Sequence, residues 1–299
     1  MNWGVFWSFL SAFLWSTTFV CARYLLAGRS IDPITLAALR FILGGGFLLT
    51  FGWFWRRRQI TAIRWADFAR CLLLALLGIV GMSVFLFFGQ QRTGAINSSI
   101  IMQSSPVFIA LLGILIGERL TWTGFGGILL GLLGTAMIMN MLSRHGFQMM
   151  FSQNSSGDLL VLASAACWAV YSVFSKPLVN KLGGYASTTW VMVAGALELI
   201  VLWCLWPAPA VWPDNVHKWT AVIYLALFPT AIAYFAWYEA MGLIKLSLLN
   251  VMQYLTPVFT ILLAWVLLSE RITLWQLAGI GVVMLGIMLV SWRRGLGRA

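Results

Sequence analysis

Residues 106–134 read PVFIALLGILIGERLTWTGFGGILLGLLG, and residues 257–286 read PVFTILLAWVLLSERITLWQLAGIGVVMLG. Both stretches contain Pro-Val-Phe, an apolar run, Glu-Arg-aliphatic-Thr and a second apolar run with spaced glycines. The second copy is one residue longer than the first. Similarity of this kind within one chain indicates an internal repeat, which determines the fold more than any local pattern does.

A second region of the chain supports the repeat. Six residues of the first segment recur 153 positions later: Ser11, Ala12, Trp15, Val20, Arg23 and Leu25 correspond to Ser164, Ala165, Trp168, Val173, Lys176 and Leu178. The chain is therefore predicted to consist of two homologous halves, residues 1–150 and 151–299.

The composition is that of a membrane protein. Of the 299 residues, 61% are hydrophobic and only 9% are charged, and the mean hydropathy is +0.91. A soluble core of this size has no room for so many apolar side chains. The net charge of +11 fits basic loops beside a membrane better than nucleic-acid binding, which needs basic residues gathered on a folded polar surface.

Ten segments are apolar over the roughly 20 residues that an α-helix needs to cross a bilayer. They are residues 3–25, 34–55, 70–88, 96–117, 122–142, 158–179, 187–206, 219–239, 246–269 and 274–292. The predicted fold is an all-α integral membrane protein of ten transmembrane helices. With five helices in each half, the two halves enter the membrane from opposite sides and form inverted repeats around a central cavity.

The basic residues predict the orientation. The run Arg56, Arg57 and Arg58 and the basic C-terminal tail lie on one side of the predicted topology. Because lysine and arginine are enriched in cytoplasmic loops, both termini are predicted to be cytoplasmic. The N-terminus has no basic region and no cleavage site, which favours a retained first helix over a signal peptide.

Two tryptophans stand apart from the others. Most of the 17 tryptophans are predicted at the membrane surfaces, where indole rings commonly anchor helices. Trp15 and Trp168 instead lie well inside their helices at matching positions of the repeat. Thr18 and Tyr171 follow one turn later, and buried indole and hydroxyl groups need hydrogen-bond partners. These two faces are predicted to line a substrate cavity, with core packing as the alternative.

Polar residues of the fourth and ninth helices form a second candidate surface. Asn250, Gln253, Tyr254 and Pro257 fall on one predicted helical face, and Ser99, Gln103 and Pro106 fill the corresponding face of the first half. A proline inside a span removes one backbone hydrogen bond, so Pro106 and Pro257 are predicted gating or hinge positions. Hydrogen bonding between helices is the alternative role of this surface. Further aromatic walls are predicted from the third and eighth helices: Phe85, Phe88, Tyr234, Trp237 and Tyr238.

Charges inside a membrane are costly and therefore suggest function. Glu198 lies near the centre of the seventh span and is a candidate for coupling, with a buried hydrogen-bonded acid as the alternative. Arg40 lies in the outer third of the second span. The sequence has no HExxH, GxSxG, Walker or paired-aspartate motif, so no enzyme activity, cofactor or metal is predicted.

The spaced glycines of the fifth and tenth helices favour close packing of helices. Gly127 and Gly134 of the first half correspond to Gly279 and Gly286 of the second, and Gly124, Gly131 and Gly281 add to the spacing. They are predicted to serve packing within the chain, and a homodimer contact is the further possibility that this pattern suggests.

These features together resemble the drug/metabolite transporter superfamily, in particular its ten-helix EamA family. The resemblance covers the entire chain and includes Trp15, Arg40-Phe41, Pro106 with Glu118, and Pro257 with Glu270. It implies a cavity lined by helices 1, 3, 4, 6, 8 and 9, supported by helices 2, 5, 7 and 10. Within the family, the aromatic lining is most similar to that of bacterial exporters of aromatic amino acids and related cations such as viologens.

The resulting hypothesis is a secondary transporter of the bacterial inner membrane that exports neutral, chiefly aromatic amino acids and related metabolites by alternating access. Its partners are a small-molecule substrate, either an amino acid or a hydrophobic cation, and the lipid bilayer. The nearer alternatives are a broad-specificity drug or cation efflux transporter and a nucleotide-sugar transporter, although the latter needs deep basic residues for phosphates. A membrane enzyme acting on lipids is the more distant alternative.

Overall fold

The structure is a computed structural model that describes residues 3–26, 31–61, 63–92, 98, 101–117, 121–138, 155–268 and 273–292. All regular secondary structure within these ranges is helical. Three residues from the sequence predictions lie outside the described ranges: Ser99, Glu118 and Glu270.

The first half contributes seven α-helical segments to the described residues. They are α1 (Trp3–Leu26), α2 (Pro33–Trp55), α3 (Arg57–Thr61), α4 (Trp65–Ala75), α5 (Met82–Arg92), α6 (Ser105–Gly113) and α7 (Trp122–Ile138). A π-helical segment, Leu76–Gly81, joins α4 to α5 without a loop, and a 3₁₀ turn, Ile114–Ile116, extends α6.

The second half contributes seven more segments to the same described residues. They are α8 (Ser155–Leu182), α9 (Gly184–Leu205), α10 (Val216–Leu225), α11 (Ala233–Leu243), α12 (Leu246–Met252), α13 (Leu255–Leu268) and α14 (Leu274–Trp292). A second π-helical segment, Ala226–Ile232, joins α10 to α11. Gly183 connects α8 to α9 with a φ of 81°, a backbone conformation that glycine adopts without a steric cost.

Six helices in the described part of the chain are long and apolar enough to cross a membrane, by length and composition. They span residues 33–55, 65–92, 156–182, 184–205, 216–243 and 246–263. Helices satisfy their own backbone hydrogen bonds and can therefore enter lipid. The chain thus has the architecture of a multi-pass α-helical membrane protein, and the count of ten spans stays a prediction.

The sequence predicts a side-chain cap at Thr121 and a capping box at Thr273 and Gln276, and both are confirmed. Gly124 donates its backbone N–H to Thr121 Oγ1 at 3.1 Å, so this threonine caps α7. At α14 the Thr273 N–H donates to Gln276 Oε1 at 2.9 Å, and the Gln276 N–H donates to Thr273 Oγ1 at 3.2 Å. These reciprocal bonds form a capping box, which satisfies backbone donors that a helix start leaves free.

Helices from the two halves pack against each other throughout the bundle. Helix α8 lies against α5 and α6, α9 lies against α2 and α4, and α1 lies against α11 and α13. Most buried residues belong to a single hydrophobic core that both halves share. The centre of the molecule is therefore formed jointly by the two halves.

The glycines predicted to favour close packing bring α7 and α14 together. A Cβ added at Gly134 would lie 2.7 Å from the carbonyl oxygen of Gly279, and one added at Gly286 would lie 2.9 Å from that of Gly127. Only glycine permits such an approach of two backbones. These four positions serve packing within the chain.

Candidate functional site

A turn interrupts helical structure at one point in each half. Gln103 and Ser104 form a turn directly before α6, and Gln253 and Tyr254 form the corresponding turn between α12 and α13. The Ser104 N–H donates to the Ile101 carbonyl at 3.0 Å, and the Gln253 N–H donates to the Asn250 carbonyl at 3.1 Å. Such bonds span three residues instead of the four of an α-helix, so the helical register changes at both turns.

The two predicted hinge prolines lie immediately after these breaks. Pro106 occupies the first turn of α6, and Pro257 occupies the first turn of α13. Proline is well tolerated there because the N–H groups of a first turn have no partner within the helix. Each proline therefore begins a new helix segment after a break instead of bending a continuous one.

A cavity of about 100 Å³ lies beside both breaks. Its volume is sufficient for several water molecules. The residues that line it come from both halves of the chain: Trp15, Thr18, Arg40, Met82, Leu86, Met102, Gln103, Ser105, Trp168, Tyr234, Gln253 and Thr256.

One wall of the cavity is aromatic. The rings of Trp15 and Trp168 meet edge to face with centroids 5.2 Å apart, and Tyr234 lies 5.7 Å and 5.6 Å from them. Trp237 lies within 5.8 Å of both tryptophans and supports them. The Trp15 indole N–H donates to the Pro229 carbonyl at 3.1 Å, which holds the indole plane in place.

Polar groups also line the cavity. The Ser105 hydroxyl lies 3.3 Å from Gln253 Oε1 and donates to it, which joins the two broken helices. Within the described structure, Gln253 Nε2 and Thr18 Oγ1 are buried without a hydrogen-bond partner. Both residues line the cavity and offer unused hydrogen-bonding capacity to its contents.

Arg40 extends from α2 to the cavity. Its side chain is 3% exposed, and its Nε–H donates to Thr230 Oγ1 at 2.8 Å. The guanidinium carbon lies 5.4 Å from the centre of the Phe41 ring and 5.8 Å from that of Phe87. The family resemblance implies only a supporting role for helix 2. In the structure, the long Arg40 side chain reaches from this helix to the cavity, so helix 2 also contributes to the lining.

Six of the predicted site residues lie together at the cavity. They are Trp15, Thr18, Gln103, Trp168, Tyr234 and Gln253. The remaining described candidates lie outside its lining: Phe85, Phe88, Tyr171, Trp237, Tyr238, Asn250 and Tyr254.

The π-helical segment explains the positions of Phe85 and Phe88. A π-helical turn holds more residues than an α-helical turn, so the residues after Leu76–Gly81 are rotated relative to a continuous α-helix. Met82 and Leu86 line the cavity as a result. Phe88 instead packs against Trp206, with ring centroids 5.6 Å apart.

The other displaced residues are buried among helices. Tyr254 lies in a smaller hydrophobic cluster with Ile128, Val251 and Val258 and packs against Gly131 of α7, because the break before α13 turns it away from Gln253. Tyr171 packs on Gly78, and the Tyr238 hydroxyl donates to Ser175 Oγ at 2.9 Å. Asn250 is buried in α12.

The proposed coupling acid lies apart from the cavity. Glu198 is half-buried on α9 and is not among the cavity-lining residues. Within the described residues its Oε2 has no hydrogen-bond partner. The same residues contain no group of three histidine, cysteine, aspartate or glutamate side chains able to hold a metal ion.

Several residues that line the cavity were not predicted from the sequence, and they differ in whether the sequence marks them as unusual. The sequence shows Arg40 as a charge within a span, but it does not show that this side chain reaches the cavity. Met82, Leu86 and Met102 are ordinary apolar residues of apolar helices. No feature of the sequence marks them as different from residues that face lipid.

Comparison with protein families identifies this architecture. Residues 2–140 and 155–292 each match the model of the EamA-like transporter family. A solved crystal structure superimposes with a TM-score of 0.81 at 25% sequence identity, covering 98% of both chains.

Individual relatives are similar over nearly their whole length. An uncharacterized transporter of Archaeoglobus fulgidus is 27% identical, covering 95% of this chain and 97% of the relative. A probable terminal-alkyne amino-acid exporter of Streptantibioticus cattleyicolor is 28% identical, covering 97% of this chain and 93% of the relative.

Proposed function

Because the chain belongs to the EamA-like transporter family, we propose that it is a secondary transporter that exports neutral, chiefly aromatic amino acids by alternating access. The observation that carries this proposal is the cavity between the two broken helices. Its aromatic wall suits a flat apolar side chain, and its polar residues suit a backbone carboxylate and amine. A cavity of mixed character at the interface of two halves is typical of transporter binding sites.

The broken helices support a transport cycle. Each break places a glutamine, Gln103 or Gln253, in the cavity lining. Irregular backbone within a membrane is tolerated where it lines a cavity, and discontinuous helices commonly form the binding sites of transporters. In the proposed cycle the helices pivot at these turns, next to Pro106 and Pro257, while the substrate occupies the space between them.

One relative supports an amino-acid substrate. The Streptantibioticus relative is named as a probable exporter of an amino acid, and it matches this chain from end to end. Its named substrate carries a terminal alkyne, whereas the wall formed by Trp15, Trp168 and Tyr234 favours a flat ring in this chain.

The proposed topology has ten membrane helices in two inverted repeats, residues 1–150 and 151–299. Both termini lie in the cytoplasm, and the protein resides in a bacterial inner membrane. The packing of α8, α9 and α14 of the second half against helices of the first supports an arrangement in which the halves enclose one central site.

Transport by the purified protein tests the proposal. Proteoliposomes containing the full chain are expected to take up labelled phenylalanine and tryptophan, and threonine more slowly. The double variant Trp15→Ala/Trp168→Ala removes most of the aromatic wall and is expected to lose uptake while keeping its fold. Absence of uptake of any amino acid by the wild-type protein would refute the proposal, and wild-type rates in the double variant would show that these rings only fill space.

A further inference from the structure

Arg40 is a buried cation without an anionic partner among the described residues. Its side chain is 3% exposed, and none of the described carboxylates forms an ion pair with it. Elsewhere in the described structure, Asp67 pairs with Lys181 and Asp214 pairs with Lys218. An isolated charge inside a membrane is costly, and such charges are typically retained where they bind something.

The protein uses only part of the hydrogen-bonding capacity of Arg40. A guanidinium carries five N–H donors in a planar fork. The Nε–H is bonded to Thr230, whose own hydroxyl donates to the Leu225 carbonyl at 2.6 Å. These two bonds fix the near end of the guanidinium, while its location in the cavity wall leaves the outer nitrogens available to the cavity contents.

The surroundings of Arg40 favour an anion. Gln253 Nε2 is a buried donor without a partner in the described structure, and the Thr18 hydroxyl is also unpaired. Both side chains are less than one-tenth exposed and line the same cavity. No acidic residue belongs to the described lining. The cavity therefore combines one fixed positive charge with unused donors.

We propose that Arg40 binds the carboxylate of the transported substrate, and that the cavity selects molecules in which a carboxylate accompanies a flat apolar group. This inference rests on the proposed function and names the group that the site recognises. A guanidinium binds a carboxylate through two parallel hydrogen bonds, which fixes orientation as well as affinity. The aromatic wall then contacts the apolar part of the substrate. Organic cations without a carboxylate are disfavoured because they meet a like charge in a site of low dielectric constant.

Competition by a matched series of analogues tests this assignment in the wild-type protein. Uptake of labelled phenylalanine into proteoliposomes is measured with unlabelled phenylalanine, phenylalaninamide, 3-phenylpropionate or phenethylamine as competitor. Phenylalanine and 3-phenylpropionate are expected to compete at least about tenfold more strongly than the two compounds without a carboxylate, since hydrogen bonds to charged groups are worth about one order of magnitude or more. Equal competition by phenylalanine and its amide would overturn the assignment.

Variants at the site separate binding from structure. Arg40→Gln removes the charge and is expected to abolish the preference for phenylalanine over its amide, whereas Arg40→Lys should retain part of it. Thr230→Val is the matched control, because it removes the hydrogen bond that holds Arg40 but leaves the cation, and it should keep the preference. Retention of the preference in Arg40→Gln would contradict the proposal, whatever the behaviour of Thr230→Val.

A binding measurement distinguishes failure of this inference from failure of the proposed function. Purified full-length protein in detergent is heated with 3-phenylpropionate or with phenethylamine. If no amino acid is transported but 3-phenylpropionate alone raises the melting temperature, the assignment of Arg40 stands and the amino-acid substrate is wrong. If amino acids are transported and both compounds act equally, the assignment of Arg40 is wrong and the proposed function stands.

Discussion

Residues 65–92 and 216–243 form two long helices, and each contains a π-helical segment near its middle. In the first helix the segment is Leu76–Gly81, and Gly78 within it contacts the ring of Tyr171. In the second helix the segment is Ala226–Ile232. There the Pro229 carbonyl accepts the indole N–H of Trp15, and Thr230 accepts the hydrogen bond of Arg40. The π-helical segment of the first half thus accommodates the buried ring of Tyr171. The π-helical segment of the second half positions two cavity residues, Trp15 and Arg40.

The difference shows where the polarity of the cavity comes from. A π-helical turn leaves backbone groups without their usual partners, and a proline removes a further donor. Of the two segments, only Ala226–Ile232 contains a proline and a threonine. The Pro229 carbonyl accepts a hydrogen bond from Trp15, and the Thr230 hydroxyl accepts one from Arg40. The two halves therefore share an architecture, whereas the side chains anchored by the second half set the chemistry of the site.

The largest expected effect concerns the packing role of the first segment. A Cβ at Gly78 would lie 2.0 Å from Cγ of Tyr171, which is fully buried and cannot move aside. Gly78→Ala is therefore expected to destabilise the protein by about 1–3 kcal/mol, as overpacking does. The measurement is the melting temperature of the purified protein in detergent.

Gly46→Ala provides the control for this change. An added Cβ at Gly46 meets no atom within 4 Å, and alanine is a better helix former than glycine. The control should be as stable as the wild type or slightly more stable. Equal melting temperatures for Gly78→Ala and the wild type would show that the first segment has no packing role.

A smaller effect is expected from the anchoring role of the second segment. Trp15→Phe keeps an aromatic ring but removes the hydrogen bond to Pro229, which should cost about 1 kcal/mol of stability. Because the ring loses its fixed orientation at the cavity, we also expect a higher KM for phenylalanine uptake. Both quantities are measured on the same preparation.

Trp190→Phe is the matched variant for this prediction. Its indole N–H donates to the Ile60 carbonyl at 3.0 Å, a bond of the same kind at a distance from the cavity lining. It should lower stability to a similar extent and leave KM unchanged. A rise in KM of the same size in both variants would mean that Trp15 acts through general stability alone.

The helical architecture could be predicted because it depends on patterns that a single sequence displays. The long apolar segments, the capping residues Thr121 and Thr273, and the glycines of the fifth and tenth helices all leave a visible spacing. Trp15 and Trp168 were also accessible, since an indole deep inside a predicted span needs an explanation. The structure brings these two rings into contact at the cavity.

The rest of the site depends on local departures from α-helical geometry and on packing between helices, which a regular helical period does not predict. Phe85 and Phe88 were predicted as aromatic residues of the third helix, but the face of this helix that reaches the cavity depends on the π-helical segment before them. Tyr254 was grouped with Gln253, but the break at these two residues turns Tyr254 towards Gly131. The reach of Arg40 from an outer helix depends on the packing between helices, which one sequence does not specify.

The central claim is that phenylalanine occupies the cavity between the two helix breaks, and protection of an introduced thiol tests it most directly. After replacement of the four native cysteines by alanine, Met102→Cys places a thiol in the cavity wall, and Trp212→Cys places one in the loop before α10 as control. The account predicts that phenylalanine slows the reaction of the thiol at position 102 with a water-soluble maleimide severalfold and leaves the reaction at position 212 unchanged. Identical reaction rates at position 102 with and without phenylalanine, in a protein that still transports it, would contradict the account.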